Sequence, residues 1–110
     1  MAGKYEIKKT SDDQFMFNLK AGNGEIILTS ERYTAKASAE NGIRSVQENS
    51  QKDERFDRLE SKSGQPYFNL KAGNGEIIGT SEMYSSEAAR DNGIASVKTN
   101  GPTTTIDDQA

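Results

Sequence analysis

The side chains available for chemistry in this chain are carboxylates, lysines, tyrosines and hydroxyls, because histidine and cysteine are both absent. That absence removes serine–histidine–aspartate triads, cysteine–histidine pairs, thiolate zinc sites, disulfides and the commonest general base. Three adjacent acidic pairs remain: Asp12-Asp13, Asp53-Glu54 and Asp107-Asp108. Neighbours on a strand point to opposite faces, so such pairs are poorly placed to work together as acid and base. They read instead as solvated turns or termini. The spacing of a calcium loop is missing. Gly22-Asn23-Gly24 and Gly73-Asn74-Gly75 have the composition of a phosphate nest, but each lies between two strand-like segments, whereas a phosphate loop leads into a helix N-terminus. Both are expected to be hairpin turns. No catalytic, metal or cofactor site is expected.

Asn18 and Lys20, repeated as Asn69 and Lys71, offer more. They alternate away from Phe17 and Leu19, so they belong to a sheet face that the core does not use, and Met16 and Tyr67 share that face. Asn18, Lys20, Tyr67, Asn69 and Lys71 form the candidate binding face, and they are expected to be solvent-exposed. Sheets that present aromatic and polar groups in this way bind RNA bases in other folds. The competing reading is an ordinary solvated face of an antiparallel sheet.

The elements that must position these groups occur twice. Phe17 to Asn49 and Phe68 to Asn100 align at an offset of 51 residues without a gap, and 22 of 33 positions are identical. Phe17–Ile27 matches Phe68–Ile78 throughout, whereas Thr34–Glu40 keeps only Ala37, as Ala88. Two copies are too few for a solenoid and suit a closed pseudo-twofold pair. A unit of about 50 residues buries too little surface to be stable alone, so one domain over residues 1–110 is expected, with repeats at 4–52 and 53–108.

Within the first copy, Tyr5-Glu6-Ile7 alternates as a short strand, Ser11-Asp12-Asp13 is a turn, and Phe15–Lys20 alternates as a half-buried strand. Glu25–Thr29 continues as a third strand. A turn at Gly22-Asn23 would set Lys20 opposite Glu25 and Leu19 opposite Ile26. A helix over about 35–48 follows, with Ala35, Ala39, Gly42, Ile43 and Val46 in one stripe and Thr34 as N-cap. Gly42 either marks a close approach of helix to sheet or, with Asn41, breaks the helix. Tyr33 and Tyr84 are read as anchors of helix to sheet, and Glu31 and Glu82 as acids offsetting the helix dipole. The second copy places strands at Phe56–Glu60, Tyr67–Lys71 and Glu76–Thr80 and a helix at about 86–98 capped by Ser85. Pro66 stands at a strand start, Gly101-Pro102 stops the helix, and Thr103–Ile106 can form a last strand.

Three stretches carry a resemblance: Pro66-Tyr67-Phe68-Asn69-Leu70-Lys71-Ala72-Gly73-Asn74-Gly75, then Ser81-Glu82-Met83-Tyr84, then Gly93-Ile94-Ala95-Ser96-Val97. In this order the chain resembles the uncharacterised YegP-like family of small bacterial proteins, from about Lys4 to Asp107, in its tandem form. The resemblance implies an α+β fold of two β-β-β-α-β repeats in one continuous antiparallel sheet with the C-terminal strands exchanged. It implies no activity and no ligand. Leu28 and its counterpart Gly79 depart from the repeat, so packing beneath the two hairpins should differ.

The net charge is −3, and lysine and arginine are interspersed with acids. Nucleic-acid binding by phosphate neutralisation shows a basic stripe, which is missing. No apolar run approaches the ~20 residues of a membrane helix, and the opening residues lack the apolar stretch of a signal peptide. The reading is a cytoplasmic, monomeric, non-enzymatic binding or interaction module using the open sheet face or a sheet edge. Single-stranded RNA binding by that face, or an enzyme with an unrecognised carboxylate or lysine site, stands as the alternative.

Overall fold

The computed structural model describes residues 3–110; Met1 and Ala2, part of the opening run read above for a leader, lie outside the described residues. The chain runs β1 (Lys4–Lys9), β2 (Phe15–Lys20), β3 (Ile26–Ser30), α1 (Lys36–Asn49), a 3-10 turn (Asp53–Arg55), β4 (Phe56–Glu60), β5 (Pro66–Lys71), β6 (Ile77–Thr80), α2 (Glu87–Asn100) and β7 (Ile106–Asp108). One seven-stranded sheet contains every strand, in the order β4-β5-β6-β3-β2-β1-β7. The two repeats meet in the middle, where Thr29 of β3 pairs antiparallel with Thr80 of β6. These residues are 51 positions apart, so the pseudo-twofold axis passes between them.

The α+β architecture and the shared sheet hold, with two differences. The sheet is antiparallel except at its end, where β7 lies parallel to β1 with Tyr5 opposite Ile106 and Ile7 opposite Asp108. The exchange is also one-sided. The tail of the second repeat covers the first repeat's edge, but the segment after α1 is the connector and becomes β4 itself. The tail strand begins where the β-branched run Thr103–Ile106 ends, so Asp107 and Asp108 are strand residues, while their side chains stay solvent-accessible. Asp107 pairs with Lys4 at 3.6 Å and Asp108 with Lys36.

Both helices pack on one face. Ile43 and Val46 of α1 and Ile94 and Val97 of α2 join Tyr5, Ile7, Phe17, Leu19, Leu28, Phe68 and Leu70 in one core. Each helix reaches across the repeat boundary: α1 packs on β5 and β6 as well as β2, and α2 on β2 and β3 as well as β5. The hydrophobic core is thus built from both repeats together.

The Asn-Gly pairs do not break the helices. A Cβ on Gly42 would lie 2.5 Å from the Tyr33 hydroxyl and 2.9 Å from Phe17, and Gly93 meets Tyr84 and Phe68 likewise. Each tyrosine stacks on its phenylalanine with ring centres 6.3 Å apart. The tyrosine fills the notch that glycine leaves, so helix and sheet are joined through an aromatic pair. The caps differ from the expectation. In α1 Ala35 takes the cap position without a side-chain bond, and in α2 the cap is Ser86, whose oxygen accepts from the Ala89 N–H at 3.1 Å. The first turn of α2 holds Glu87, and neither Glu31 nor Glu82 lies in the first turn of its helix. Their carbonyls accept from Ser30 and Ser81, whose hydroxyl oxygens in turn accept from the Phe17 and Phe68 N–H groups.

The hairpin partners also change. Leu19 faces Leu28 and Lys20 faces Ile26, with a bulge between, so Lys20 does not meet Glu25 and Leu19 does not meet Ile26. Gly24 adopts φ +86°, and its N–H bonds the Ala21 carbonyl at 2.9 Å. The bulge explains why successive residues Ile27 and Leu28 are both buried in the core, which strict alternation forbids. The Leu28 side chain lies against Gly79, so packing under the two hairpins does differ.

Candidate functional site

The sheet face away from the helices is uncovered. Register carries one row of side chains across all seven strands of that face: Asp107, Glu6, Asn18, Thr29, Thr80, Asn69 and Asp57, from β7 to β4. Its inner six positions, Glu6 to Asp57, mirror about the Thr29–Thr80 pair, with threonine at the centre, asparagine next and an acid outside it; Asp107 on β7 has no counterpart in the second repeat. Met16 and Lys20 flank Asn18 along β2, and Tyr67 and Lys71 flank Asn69 along β5, by strand alternation.

The face assignment of Asn18, Lys20, Tyr67, Asn69 and Lys71 thus stands, but the expected exposure does not. Asn18 is 5% and Asn69 8% exposed, while Tyr67, Lys20 and Lys71 are half-buried. Short amides in inner strands are closed over by longer neighbours on both sides, which alternation alone cannot reveal. Asn69 accepts a hydrogen bond from the Thr80 hydroxyl at 2.9 Å. The equivalent Asn18 side chain has no such bond among the described residues, and its amide reaches the surface.

The lysines are engaged. Lys20 Nζ bonds Glu6 at 3.0 Å, and Lys4 and Lys8 stand 3.5 and 3.7 Å from the same carboxylate. Glu6 is only 4% exposed. The hydrogen bond from Lys20, assisted by its charge and by Lys4, holds the Glu6 carboxyl below the usual range although burial pulls the other way. In the second repeat Lys71 bonds Asp57 at 2.5 Å. Glu6, Asp57, Thr29 and Thr80 were not among the predicted site residues. Their signal was present, because an acid recurs at 6 and 57 and a threonine at 29 and 80.

This arrangement offers hydrogen-bond donors, acceptors and compensated charges. Lys20 and Lys71 are tied up in ion pairs with Glu6 and Asp57, and Glu6 is held as a carboxylate by its lysines. Among the described residues no group of three metal-ligating side chains could hold an ion. A groove of about 470 Å³ lies off the row, between Gly3, Lys4, the first hairpin turn and Thr105. Asp12-Asp13 lies in its expected turn, where Asp13 has φ +63° and Asp12 meets Arg32 at 3.3 Å. Asp53-Glu54 opens the 3-10 turn. Among the described residues no helix is long and apolar enough to cross a membrane.

The model of a domain of unknown function, DUF1508, matches this chain twice, over residues 10–57 and 61–108. A UPF0339 protein of Acinetobacter baylyi is 63% identical across 98% of this chain and 97% of its own length. The UPF0339 protein YegP of Escherichia coli is 57% identical across 98% of both. Two solution NMR structures share the fold. That of a UPF0339 protein from Shewanella oneidensis has a TM-score of 0.93 at 64% identity, covering 98% of this chain and 92% of the other. That of YegP from E. coli, described as a protein of unknown function, has a TM-score of 0.94 at 56% identity, covering 99% and 94%.

Proposed function

This chain belongs to the DUF1508 family, in its tandem YegP-like form, and from that premise we propose that it is a non-enzymatic interaction module that binds a polar partner on the open sheet face. The observation that carries the reading is the mirrored row from Glu6 to Asp57, which lies on the face that neither helix covers. Paired amides and hydroxyls recognise hydrogen-bonding groups by geometry and leave charge a secondary role. The reading takes the module to act in the cytoplasm as a monomer. Binding of single-stranded RNA is the weaker reading, because Lys20 and Lys71 are spent on Glu6 and Asp57 and phosphates would have to displace those carboxylates. The test is capture on immobilised full-length chain, comparing the wild type with Lys20→Glu/Lys71→Glu and Asn18→Ala/Asn69→Ala variants whose fold is checked by NMR. A partner should be retained by the wild type and released by both variants. Equal retention by all three, or by none, removes the reading.

A further inference from the structure

On a twofold axis each residue meets its own equivalent. Thr29 and Thr80 do so in the sheet. Two further equivalent pairs meet in the same way, and both are unlike. A Cβ on Gly79 would lie 2.6 Å from Cγ of Leu28 and 2.7 Å from its Cδ2, inside the volume that Leu28 fills. At the ends of the helices, a Cβ on Gly101 would lie 2.6 Å from Cβ of Ser50, closer still to its Oγ, and 2.7 Å from the Val97 carbonyl oxygen. Leu28 and Ser50 are both buried. Neither glycine is needed for its backbone conformation. Gly101 has φ −55° and ψ −40°, which any residue adopts, and Gly79 is not among the glycines at positive φ.

The glycines are therefore there for space, and both stand in the second repeat. Two surfaces like that of the first repeat would collide at both points. Two surfaces like that of the second would leave a void at each. A first-repeat surface against a second-repeat surface is filled at both. A dimer of identical subunits cannot make this choice at its axis, whereas a covalent duplication can. We propose that Leu28/Gly79 and Ser50/Gly101 are a pairing code: the inner surface of the first repeat accepts only a repeat with glycine at both positions. The partner that fits is the chain's own second repeat, and the first repeat of another copy is rejected by contact. Discrimination of this kind uses a steric clash against the wrong partner as well as a fit to the right one. Its consequence is that like repeats do not pair, so two copies cannot join first repeat to first repeat.

The test uses full-length chains. Gly79→Leu/Gly101→Ser makes both surfaces bulky, Leu28→Gly/Ser50→Gly makes both small, and the fourfold variant exchanges them. The bulky variant should lose the closed monomer. The fourfold variant should regain it, with Tm within about 5 °C of wild type, since the packing lost at one residue is restored at its partner. Refolding the bulky and small variants together should give a 1:1 complex by light scattering, because each surface of one then faces a complementary surface of the other. The proposal is overturned by a bulky variant that stays a monomer as stable as wild type. It is equally overturned by a fourfold variant no more stable than the bulky one, or by two chains that elute separately after joint refolding.

Discussion

The hydroxyl of Tyr5, on the first strand, donates a 2.6 Å hydrogen bond to the carbonyl of Gly101, the residue that ends the second helix 96 positions later. The ring is fully buried and packs edge-on against Phe17. Its equivalent, Phe56, packs on Phe68 in the same way without a hydroxyl. The bond belongs to one repeat only, and it joins the start of the duplication to its end.

Tyr5→Phe should therefore keep the packing and lose the link, leaving a buried carbonyl without its donor, for about 1–2 kcal/mol of stability in urea titration. Burial also raises the ionisation of Tyr5 above the ordinary tyrosine range. The folded state then holds this proton more tightly than the unfolded state does, so its share of stability is complete below about pH 10 and falls as pH rises beyond it. The Tyr5→Phe protein should lose less stability than wild type between neutral and strongly alkaline pH. Parallel alkaline curves would show that the hydroxyl is not held in the core.

Glu6→Gln should destabilise the fold at neutral pH by about 1–2 kcal/mol, because three lysines lose their common anion. The Glu6 carboxyl is depressed in the folded state, chiefly by Lys20, so its contribution is present above the unfolded carboxyl value and lost as pH falls through the folded one. Acid titration of stability should flatten in the variant. An unchanged acid limb would assign the acid sensitivity to other carboxylates.

Gly42→Ala and Gly93→Ala should each lower Tm, although alanine is the better helix former by about 1 kcal/mol. The added methyl meets the Tyr33 or Tyr84 hydroxyl and the phenylalanine behind it. Pairing Gly42→Ala with Tyr33→Phe should recover part of the loss, which thermal unfolding of the single and double variants reads directly. Stabilisation by either alanine would mean that the helices do not sit this close to the sheet.

A chain ending at Asn100 should lose amide protection in the first repeat, at Tyr5 first, and leave the Ile7 carbonyl without its donor. The Tyr5 N–H bonds the Thr105 carbonyl at 3.0 Å, and the Ile7 carbonyl accepts from the Gln109 N–H at 2.8 Å. Hydrogen exchange followed residue by residue distinguishes this from loss around Phe68–Thr80, which would place the tail on its own repeat.

One cooperative unit is expected from the way each helix packs on strands of both repeats. Calorimetric and van't Hoff enthalpies of the intact chain should agree, and chains cut between Asn49 and Asp53 should not give two independently stable monomeric halves. Two separate transitions would assign each repeat its own core.

The amino-acid sequence by itself determined the duplication, the order of strands and helices, and the two sides of the sheet. These follow from local periodicity, which acts over a few residues and is repeated 51 positions on. It placed Asn18 and Asn69 opposite Phe17 and Phe68, and it left Gly42 and Gly93 as points of either close approach or helix break, a choice that the Tyr33 and Tyr84 contacts decide. Burial was decided by neighbours distant in sequence: Asn18 and Glu6 are covered because β1, β2 and β3 lie side by side with long lysines between them. The bulge that sends both Ile27 and Leu28 into the core, the parallel pairing of β7, and the meeting of Leu28 with Gly79 were decided only in the tertiary structure. Each depends on where two segments come to rest against each other, and a repeat read one copy at a time carries no information about what it will meet at its own symmetry axis.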